Sequence, residues 1–181
     1  METPTLTIEQ LRFPVGRYEL PTVFQSKIVK EAMAAIEDLP AQLVDAVSGL
    51  SEEQLDTPYR PSGWTLRQVV HHLPDSHMNS YIRFRLALTE ERPIIKPYDE
   101  TGWAQLPDAC TADPAVSLQL LAPLHERWTM LLQSLTFEQW HRTFVHPEGG
   151  EIYLFQAAGL YAWHGRHHLA HIMSLKERMG W

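Results

Sequence analysis

Cysteine, long apolar runs and clustered positive charge are all scarce in this sequence. The single cysteine, Cys110, cannot form a disulfide within the chain, and this suits a reducing compartment. No apolar run is long enough to span a bilayer, and residues 1–20 lack the cationic start and apolar stretch of an export signal. We therefore expect a cytoplasmic protein that does not insert into membranes.

Positive charge is also in deficit overall. The 15 lysines and arginines are outnumbered by 22 aspartates and glutamates, which gives a net charge of -7. Since no basic cluster is available to neutralise a phosphate backbone, nucleic-acid binding is disfavoured. Hydrophobic residues make up 44% and charged residues 20%, as in ordinary globular proteins. The length of 181 residues fits one domain, so we expect residues 1–181 to form a single domain.

Apolar residues with helical spacing predict four long helices. Their expected ranges are 24–50, about 65–91, 113–132 and about 153–179. Prolines within the first three should bend them, namely Pro40, Pro74 and Pro123. No segment shows the alternating pattern of a strand, so the sequence predicts an all-α four-helix bundle.

Two segments between or before these helices are rich in proline. Residues 1–22 carry Pro4, Pro14 and Pro21, which predicts an irregular N-terminal arm that wraps over the bundle. Residues 92–112 are too long for an idle connection between the second and third long helices, so we expect them to form a wall or a lid. Brief helices are expected where capping boxes begin, at Ser51 and Thr136.

Histidine is the unusual component. Seven of the 10 histidines lie in two short stretches, which are His71, His72 and His77, and His164, His167, His168 and His171. Histidines four residues apart stand one helical turn above each other and can converge on one metal ion. The last helix offers two such pairs, His164 with His168 and His167 with His171. Because a metal provides polar partners to several buried imidazoles at once, this spacing predicts a metal site.

A third ligand should come from a facing helix, since two ligands hold a metal weakly. The first histidine stretch is the obvious source. The apolar stripe of its helix includes His77, whereas His71 and His72 lie off the stripe on opposite sides, so periodicity alone favours His77. His125 is alone on its helix, and we interpret it as an ordinary core histidine.

Three sequence blocks resemble the DinB/YfiT-like superfamily, in particular its YfiT branch, whose members are called metal-dependent hydrolases and bacillithiol transferases. The blocks are GWTLRQVVHHL at 63–73, DSHMN at 75–79 and YAWHGRHHLAHI at 161–172. The resemblance extends over nearly the whole chain and includes 59–60, 96–100 and 179–181. Together these blocks are far more specific than one pair of histidines at helical spacing.

The resemblance implies a four-helix bundle with one divalent metal ion per chain, held by three histidines. The first ligand in the family is the histidine of a His-Leu pair that follows a Trp by eight residues, and it corresponds to His72, eight residues after Trp64. The pair in the last helix corresponds to His164 and His168. Zinc or nickel suits imidazole ligands, and sequence does not choose between them.

Several assignments stay open beside this one. His71 and His77 are alternatives for the first ligand, and His167 and His171 resemble groups of the outer shell or the pocket. Pro74 departs from the family pattern, in which relatives have a helix-compatible residue, and this departure bears on the direction of His72.

Three imidazoles leave a divalent ion at least one open position, which is typical of a catalytic site. Such an ion can activate water for hydrolysis or a thiol for transfer. The resemblance implies a transferase that joins a small-molecule thiol, such as bacillithiol, to an electrophile. Hydrolysis is the alternative, and it would need a general base, for which Asp75 and Asn79 are candidates.

A non-enzymatic bundle, in which the metal only staples helices together, is a further alternative. That site would need a fourth protein ligand, such as His171 or an acidic residue, so the number of protein ligands distinguishes the two cases. Arg83 and Arg85 could attract a thiol that carries carboxylates. A homodimer is expected only because symmetric dimers are the commonest assemblies.

Overall fold

Four long helices form the core of the protein, as predicted. The computed structural model describes residues 6–181, so residues 1–5 of the expected arm, including Pro4, lie outside the described part. The long helices are α2 (Ser26–Val47), α4 (Leu66–Thr89), α7 (Pro114–Gln133) and α9 (Leu154–Met179). The short ones are α1 (Ile8–Arg12), α3 (Glu52–Leu55), α5 (Glu100–Trp103), α6 (Pro107–Thr111) and α8 (Phe137–Trp140).

The ends of the long helices follow from local chemistry. A capping box begins α4, because the Thr65 side chain accepts a hydrogen bond from the Gln68 backbone and the Gln68 side chain reaches back to the Thr65 N–H. Asp113 caps α7 in front of a proline in its first turn. Gly180 ends α9 in the left-handed conformation, with φ of 72°, which glycine adopts without strain.

The long helices continue through their internal prolines, which are Pro40 in α2, Pro74 in α4 and Pro123 in α7. A proline has no N–H, so each one leaves the carbonyl four residues earlier without its usual helical donor. Burial of apolar side chains holds the helices together. Fully buried examples are Leu43 in α2, Leu73 in α4, Leu121 in α7 and Ile172 in α9.

A β-hairpin between α8 and α9 was not predicted. Its strands β1 (Thr143–His146) and β2 (Gly150–Tyr153) pair antiparallel. Each strand has four residues, too few for a clear alternating pattern. Phe144 and Ile152 are nevertheless buried and belong to the hydrophobic core, so the hairpin packs onto the bundle.

The connection between α4 and α7 forms part of a wall rather than an idle loop. It holds α5 and α6, and its first residues pair with the hairpin: the Ile95 N–H donates to the Val145 carbonyl at 3.0 Å, and the Val145 N–H donates to the Pro93 carbonyl at 2.9 Å. Arg67 of α4 also contacts the end of this connection, where its guanidinium donates to the Ala112 carbonyl. The expected wall is therefore present.

The N-terminal arm lies along α9. It includes one short helix, α1, which was not predicted, because the Thr7 capping box stabilises a single helical segment. Further along, the Gly16 carbonyl accepts a hydrogen bond from the Trp163 indole at 3.1 Å, and the Pro21 carbonyl accepts one from the Gln156 amide at 2.8 Å. Among residues 6–181, no helix combines the length and the apolar character that crossing a membrane requires.

Candidate metal centre

Three histidines from two helices come together at one end of a cavity. His72 comes from α4, and His164 and His168 stand one turn apart on α9. One ring nitrogen from each lies within 4.8 Å of the other two. The sequence expectation named these three residues, and the structure brings them together.

The spacing of the rings fits a tetrahedral ion. The Nε2 atoms of His72 and His164 are 3.2 Å apart. In a tetrahedral site with metal–nitrogen bonds of about 2.0–2.1 Å, two ligand nitrogens lie about 3.3–3.4 Å apart. The buried Nδ1 atom of His168 has no hydrogen-bond partner, and an ion would give such a ring a polar partner. The donor set and its spacing therefore suit a divalent metal.

Burial keeps the three rings neutral. It lowers the pKa of His72 to about 4 and the pKa values of His164 and His168 well below 6.5, and neighbouring histidines lower them further. A neutral imidazole has a free lone pair on one nitrogen, whereas a protonated ring has none. Near neutral pH the three rings are therefore ready to bind a cation without first losing a proton.

Trp64 helps to hold two of the rings in place. Its ring centroid is 4.7 Å from that of His72 and 6.2 Å from that of His168, and it lies within 11° of parallel to the second. Trp64 precedes the capping box of α4, so the start of this helix and the position of the tryptophan are determined by the same few residues.

The three histidines open into a cavity of about 550 Å³. Its lining combines aromatic side chains with charged ones, including Arg60, Arg83 and Glu100. The volume is within the range of sites for small organic molecules. His167 and His171 also line the cavity, as expected for pocket groups, and the Nε2 atom of His171 donates to the Arg12 carbonyl in the arm at 3.2 Å.

The two alternatives for the first ligand lie outside the three-histidine cluster. His71 is held between the Ser117 hydroxyl and the Ala112 carbonyl, at 2.7 and 3.1 Å. His77, which periodicity favoured, is fully buried, and its Nε2 atom lies 3.1 Å from Nδ1 of His164. The apolar stripe of α4 faces the centre of the bundle, whereas the three clustered histidines line the cavity. The stripe therefore favoured His77, which lies behind His164 in the core.

The candidate general bases do not line the cavity. The side-chain amide of Asn79 donates to the backbone carbonyl of Asp75, a normal contact within a helix. Burial and the charge of Asp108 raise the pKa of Asp75 to about 6, but Asp75 is not part of the cavity lining. Glu100 is the carboxylate that does line the cavity, and the sequence analysis assigned it no role. The signal available in the sequence was that the family resemblance includes residues 96–100.

The cluster has three members within the described part of the chain. His171, proposed as the fourth ligand of a structural site, instead contacts the arm and stacks on Tyr59 with centroids 3.9 Å apart. Residues 6–181 therefore do not form a closed site with four protein ligands. The arrangement resembles an open site.

Comparison with known proteins gives the same fold and relatives that are named as metal-dependent. Residues 35–172 match the DinB superfamily. The chain is 54% identical over 178 residues to a Bacillus subtilis protein named "Putative metal-dependent hydrolase YfiT", and the match covers 97% of this chain and 99% of that protein. A Bacillus cereus protein named "Putative metal-dependent hydrolase" is 53% identical over 174 residues, which cover 96% of this chain and all of the relative.

A solved structure of the Bacillus subtilis protein superposes with a TM-score of 0.93 at 53% identity, over 95% of this chain and 99% of the other. That protein is described as "a probable metal-dependent hydrolase with an unusual four-helix bundle topology". These relatives and the three-histidine cluster together support a divalent metal. Because the family match spans most of the chain and the relatives share more than half of its residues, the chain belongs to the DinB superfamily.

Proposed function

We propose that this protein is a metal-dependent enzyme that transfers a low-molecular-weight thiol to an electrophilic small molecule. The observation that carries the proposal is the convergence of three neutral imidazoles, His72, His164 and His168, on a cavity of about 550 Å³. A cavity of this size has room for a thiol and a second reactant beside the histidines.

His72, His164 and His168 would hold zinc or nickel, both of which accept imidazole ligands. When bound, such an ion supplies Lewis acidity that lowers the pKa of a thiol or of water. The chain itself positions the ion, since Trp64 packs against His72 and holds this neutral ring at the site.

Two arginines at the cavity wall would favour an anionic reactant. The Arg83 guanidinium donates to the Tyr161 hydroxyl at 3.3 Å, and Arg60 donates to the Pro61 carbonyl at 3.0 Å, so both side chains are held in place at the cavity wall. A guanidinium pairs well with carboxylates. A thiol that carries carboxylates, as bacillithiol does, therefore suits this wall.

In the transfer step the sulfur forms a bond to the electrophilic carbon of the acceptor. The leaving group departs with its bonding electron pair, and the proton of the thiol passes to solvent. No carboxylate is required for this step, because a thiol loses its proton far more readily than water.

Hydrolysis is the second candidate, and Glu100 is the observation that favours it. Partial burial raises the pKa of this carboxyl, which makes it a stronger base than a fully solvated glutamate. In this reaction the oxygen of water would bond to the acyl carbon, Glu100 would accept the proton, and the leaving group would depart with its electron pair. The names of the curated relatives agree with this alternative.

The test compares both reactions on protein loaded with zinc or nickel. Conjugation of monobromobimane with a panel of thiols, including bacillithiol and glutathione, is followed by mass spectrometry with and without a chelator. The expected result is conjugation faster than the spontaneous rate measured without protein, and a return to that rate when the metal is removed. The same acceleration after metal removal, or no acceleration with any of the thiols, would overturn the transferase proposal.

Two variants sharpen the comparison. Arg83→Gln should raise KM for an anionic thiol, whereas Arg85→Gln should not, because Arg85 donates to Tyr81 and does not line the cavity. The hydrolase would replace the transferase if two results were found together. The wild type would catalyse no thiol conjugation, and its hydrolysis of a 4-nitrophenyl ester would fall about 10²–10⁴-fold in Glu100→Gln. Asp99→Asn is the matched control for the loss of a neighbouring charge.

A further inference from the structure

We propose that His125 and His77 are positioning residues that fix the proton of His164 on Nδ1, so that the Nε2 atom of His164 presents a bare lone pair to the metal site. The three rings form one hydrogen-bonded series that begins at a backbone carbonyl on the far side of the bundle. We call this series the histidine relay, and it consists of Ile36 O, His125, His77 and His164.

The relay starts at Pro40 in α2. A proline at this position has no N–H, so the carbonyl of Ile36, four residues earlier, lacks its helical donor. The Nδ1 atom of His125, on the facing helix α7, lies 2.5 Å from this carbonyl oxygen. A carbonyl only accepts, so Nδ1 of His125 must carry the hydrogen. In a neutral ring, Nε2 of His125 is then an acceptor.

The same argument passes through His77. Its Nδ1 atom lies 2.9 Å from Nε2 of His125, and the two ring planes are within 12° of parallel. Since Nε2 of His125 accepts, Nδ1 of His77 carries the hydrogen and Nε2 of His77 accepts in turn. That atom lies 3.1 Å from Nδ1 of His164, which must therefore donate.

At the end of the relay the proton of His164 is on Nδ1, and Nε2 has its lone pair free. This is the nitrogen that faces His72 at 3.2 Å. Two imidazole nitrogens at this distance cannot both carry hydrogens, and the relay determines that His164 is the acceptor. The lone pair on which metal binding depends is thus specified by a carbonyl three hydrogen bonds away.

The surroundings leave the relay little freedom to adopt the opposite proton arrangement. His77 is fully buried and His125 is 1% exposed. The rings of Trp128 and Tyr161 stand edge-on against His77, with centroids at 5.8 and 5.3 Å. A ring enclosed in this way cannot turn over to exchange its two nitrogens without disturbing the core.

The inference concerns the metal centre and holds whether the enzyme transfers thiols or hydrolyses esters. Its first test uses metal-free wild-type protein and long-range ¹H–¹⁵N correlation spectra, which distinguish protonated from unprotonated ring nitrogens of histidine. The expected spectrum shows hydrogen on Nδ1 and none on Nε2 for His125, His77 and His164. Hydrogen on Nε2 of His125, His77 or His164 would overturn the proposal.

The second test uses a matched pair of variants. His77→Leu fills a similar space without an acceptor, so His164 should become a mixture of both neutral forms, and zinc affinity measured by chelator competition should fall about 10–100-fold. His77→Gln places an amide oxygen near the former Nε2 atom, and it should restore the single form of His164 and much of the affinity.

Leu132→Ala, a core variant in α7, is the control for a general loss of stability, and it should leave both readouts unchanged. Unchanged His164 spectra in folded His77→Leu, or equal zinc losses in the Leu and Gln variants, would show that His77 only fills space. If the wild type binds no zinc, the metal centre itself is wrong, while the spectra of the metal-free protein still decide the relay. If His77→Leu does not fold, the wild-type spectra decide alone.

Discussion

The Nε2 atoms of His72 and His164 lie 3.2 Å apart although 92 positions separate the residues in the chain. Two neutral, buried ring nitrogens at this distance repel each other unless one carries a hydrogen or an ion lies between them. With His168 one turn further along α9, the arrangement has the donors and the spacing of a three-histidine metal site.

Substitution of any one of these three residues should release the metal. We expect His72→Ala, His164→Ala and His168→Ala each to lose zinc or nickel on dialysis, because two imidazoles hold a divalent ion weakly. Elemental analysis and circular dichroism check metal content and helicity. His141→Ala is the control, since His141 contacts the Phe137 carbonyl and lies outside the cavity. Full metal content in all three variants would refute the assignment.

Two of the long helices, α4 and α9, could be predicted closely from sequence because each has a local signal at one end. The predicted range of about 65–91 agrees with α4 at Leu66–Thr89, and 153–179 agrees with α9 at Leu154–Met179. In both cases a cap, Thr65 or Gly180, marks an end that depends only on neighbouring residues. The hairpin was missed because its burial depends on contacts with the distant connection, such as Ile95 with Val145.

The site could be predicted only in part. The four-residue spacing in α9 offered two pairs, His164 with His168 and His167 with His171, and the family resemblance pointed to the first. In α4 periodicity favoured His77, and only the family resemblance pointed to His72. The role of Glu100 depends on the position of α5 at the cavity, and the bond between His125 and Ile36 depends on how α2 and α7 pack. Neither relationship has a local sequence pattern.

Arg67 should be important for stability rather than for chemistry. Its side chain is 3% exposed and pairs with Glu52 and Asp56 at 2.5 and 2.7 Å, and it also donates to the Ala112 carbonyl. We expect Arg67→Met to lower the free energy of unfolding by about 2–3 kcal/mol, as the loss of charged hydrogen bonds to a buried group predicts. Urea denaturation measures the change.

The matched control is Arg17→Met. Arg17 pairs with Glu9 at a similar distance, 2.8 Å, but both side chains are well exposed. Exposed pairs contribute about 0–1 kcal/mol. Equal effects of the two substitutions would show that the burial of Arg67 adds nothing to its contribution.

Mild acid should destabilise the metal-free protein. Burial lowers the pKa values of His72 and His125 to about 4, whereas the unfolded chain titrates near 6.5. Between these values the unfolded state binds protons that the folded state excludes, so the free energy of unfolding falls as the pH falls from about 6.5 to 4. Each such group contributes a slope of up to about 1.4 kcal/mol per pH unit.

Asp75 acts in the opposite direction. Its pKa is raised to about 6, so below that pH the folded state binds a proton that the unfolded state does not yet bind, and this opposes the loss of stability. The free energy of unfolding of the metal-free protein, measured by denaturation at several pH values, should therefore depend less on pH in His125→Gln and more on pH in Asp75→Asn. A stability that does not change between pH 6.5 and 4 would contradict the buried, neutral state of the histidines.

Gly165 allows α9 to approach α2 closely, and alanine at this position should destabilise the protein. A Cβ atom there would lie 2.6 Å from Cδ2 of Leu39, a buried side chain that is 2% exposed. Alanine in a helix interior normally stabilises by about 0.5–1 kcal/mol, but overpacking of a core costs about 1–3 kcal/mol. We therefore expect Gly165→Ala to lower the free energy of unfolding by about 1–2 kcal/mol.

A double-mutant cycle separates this steric effect from helix propensity. Leu39→Ala alone should cost about 2–5 kcal/mol through the cavity that it leaves. Once Leu39 has been shortened, the Cβ atom introduced by Gly165→Ala has space, so this substitution should no longer destabilise and should add its helix propensity. Additive effects in urea denaturation would mean that Gly165 and Leu39 do not constrain each other. Stabilisation by Gly165→Ala in the wild-type background would mean that α2 and α9 have room to move apart.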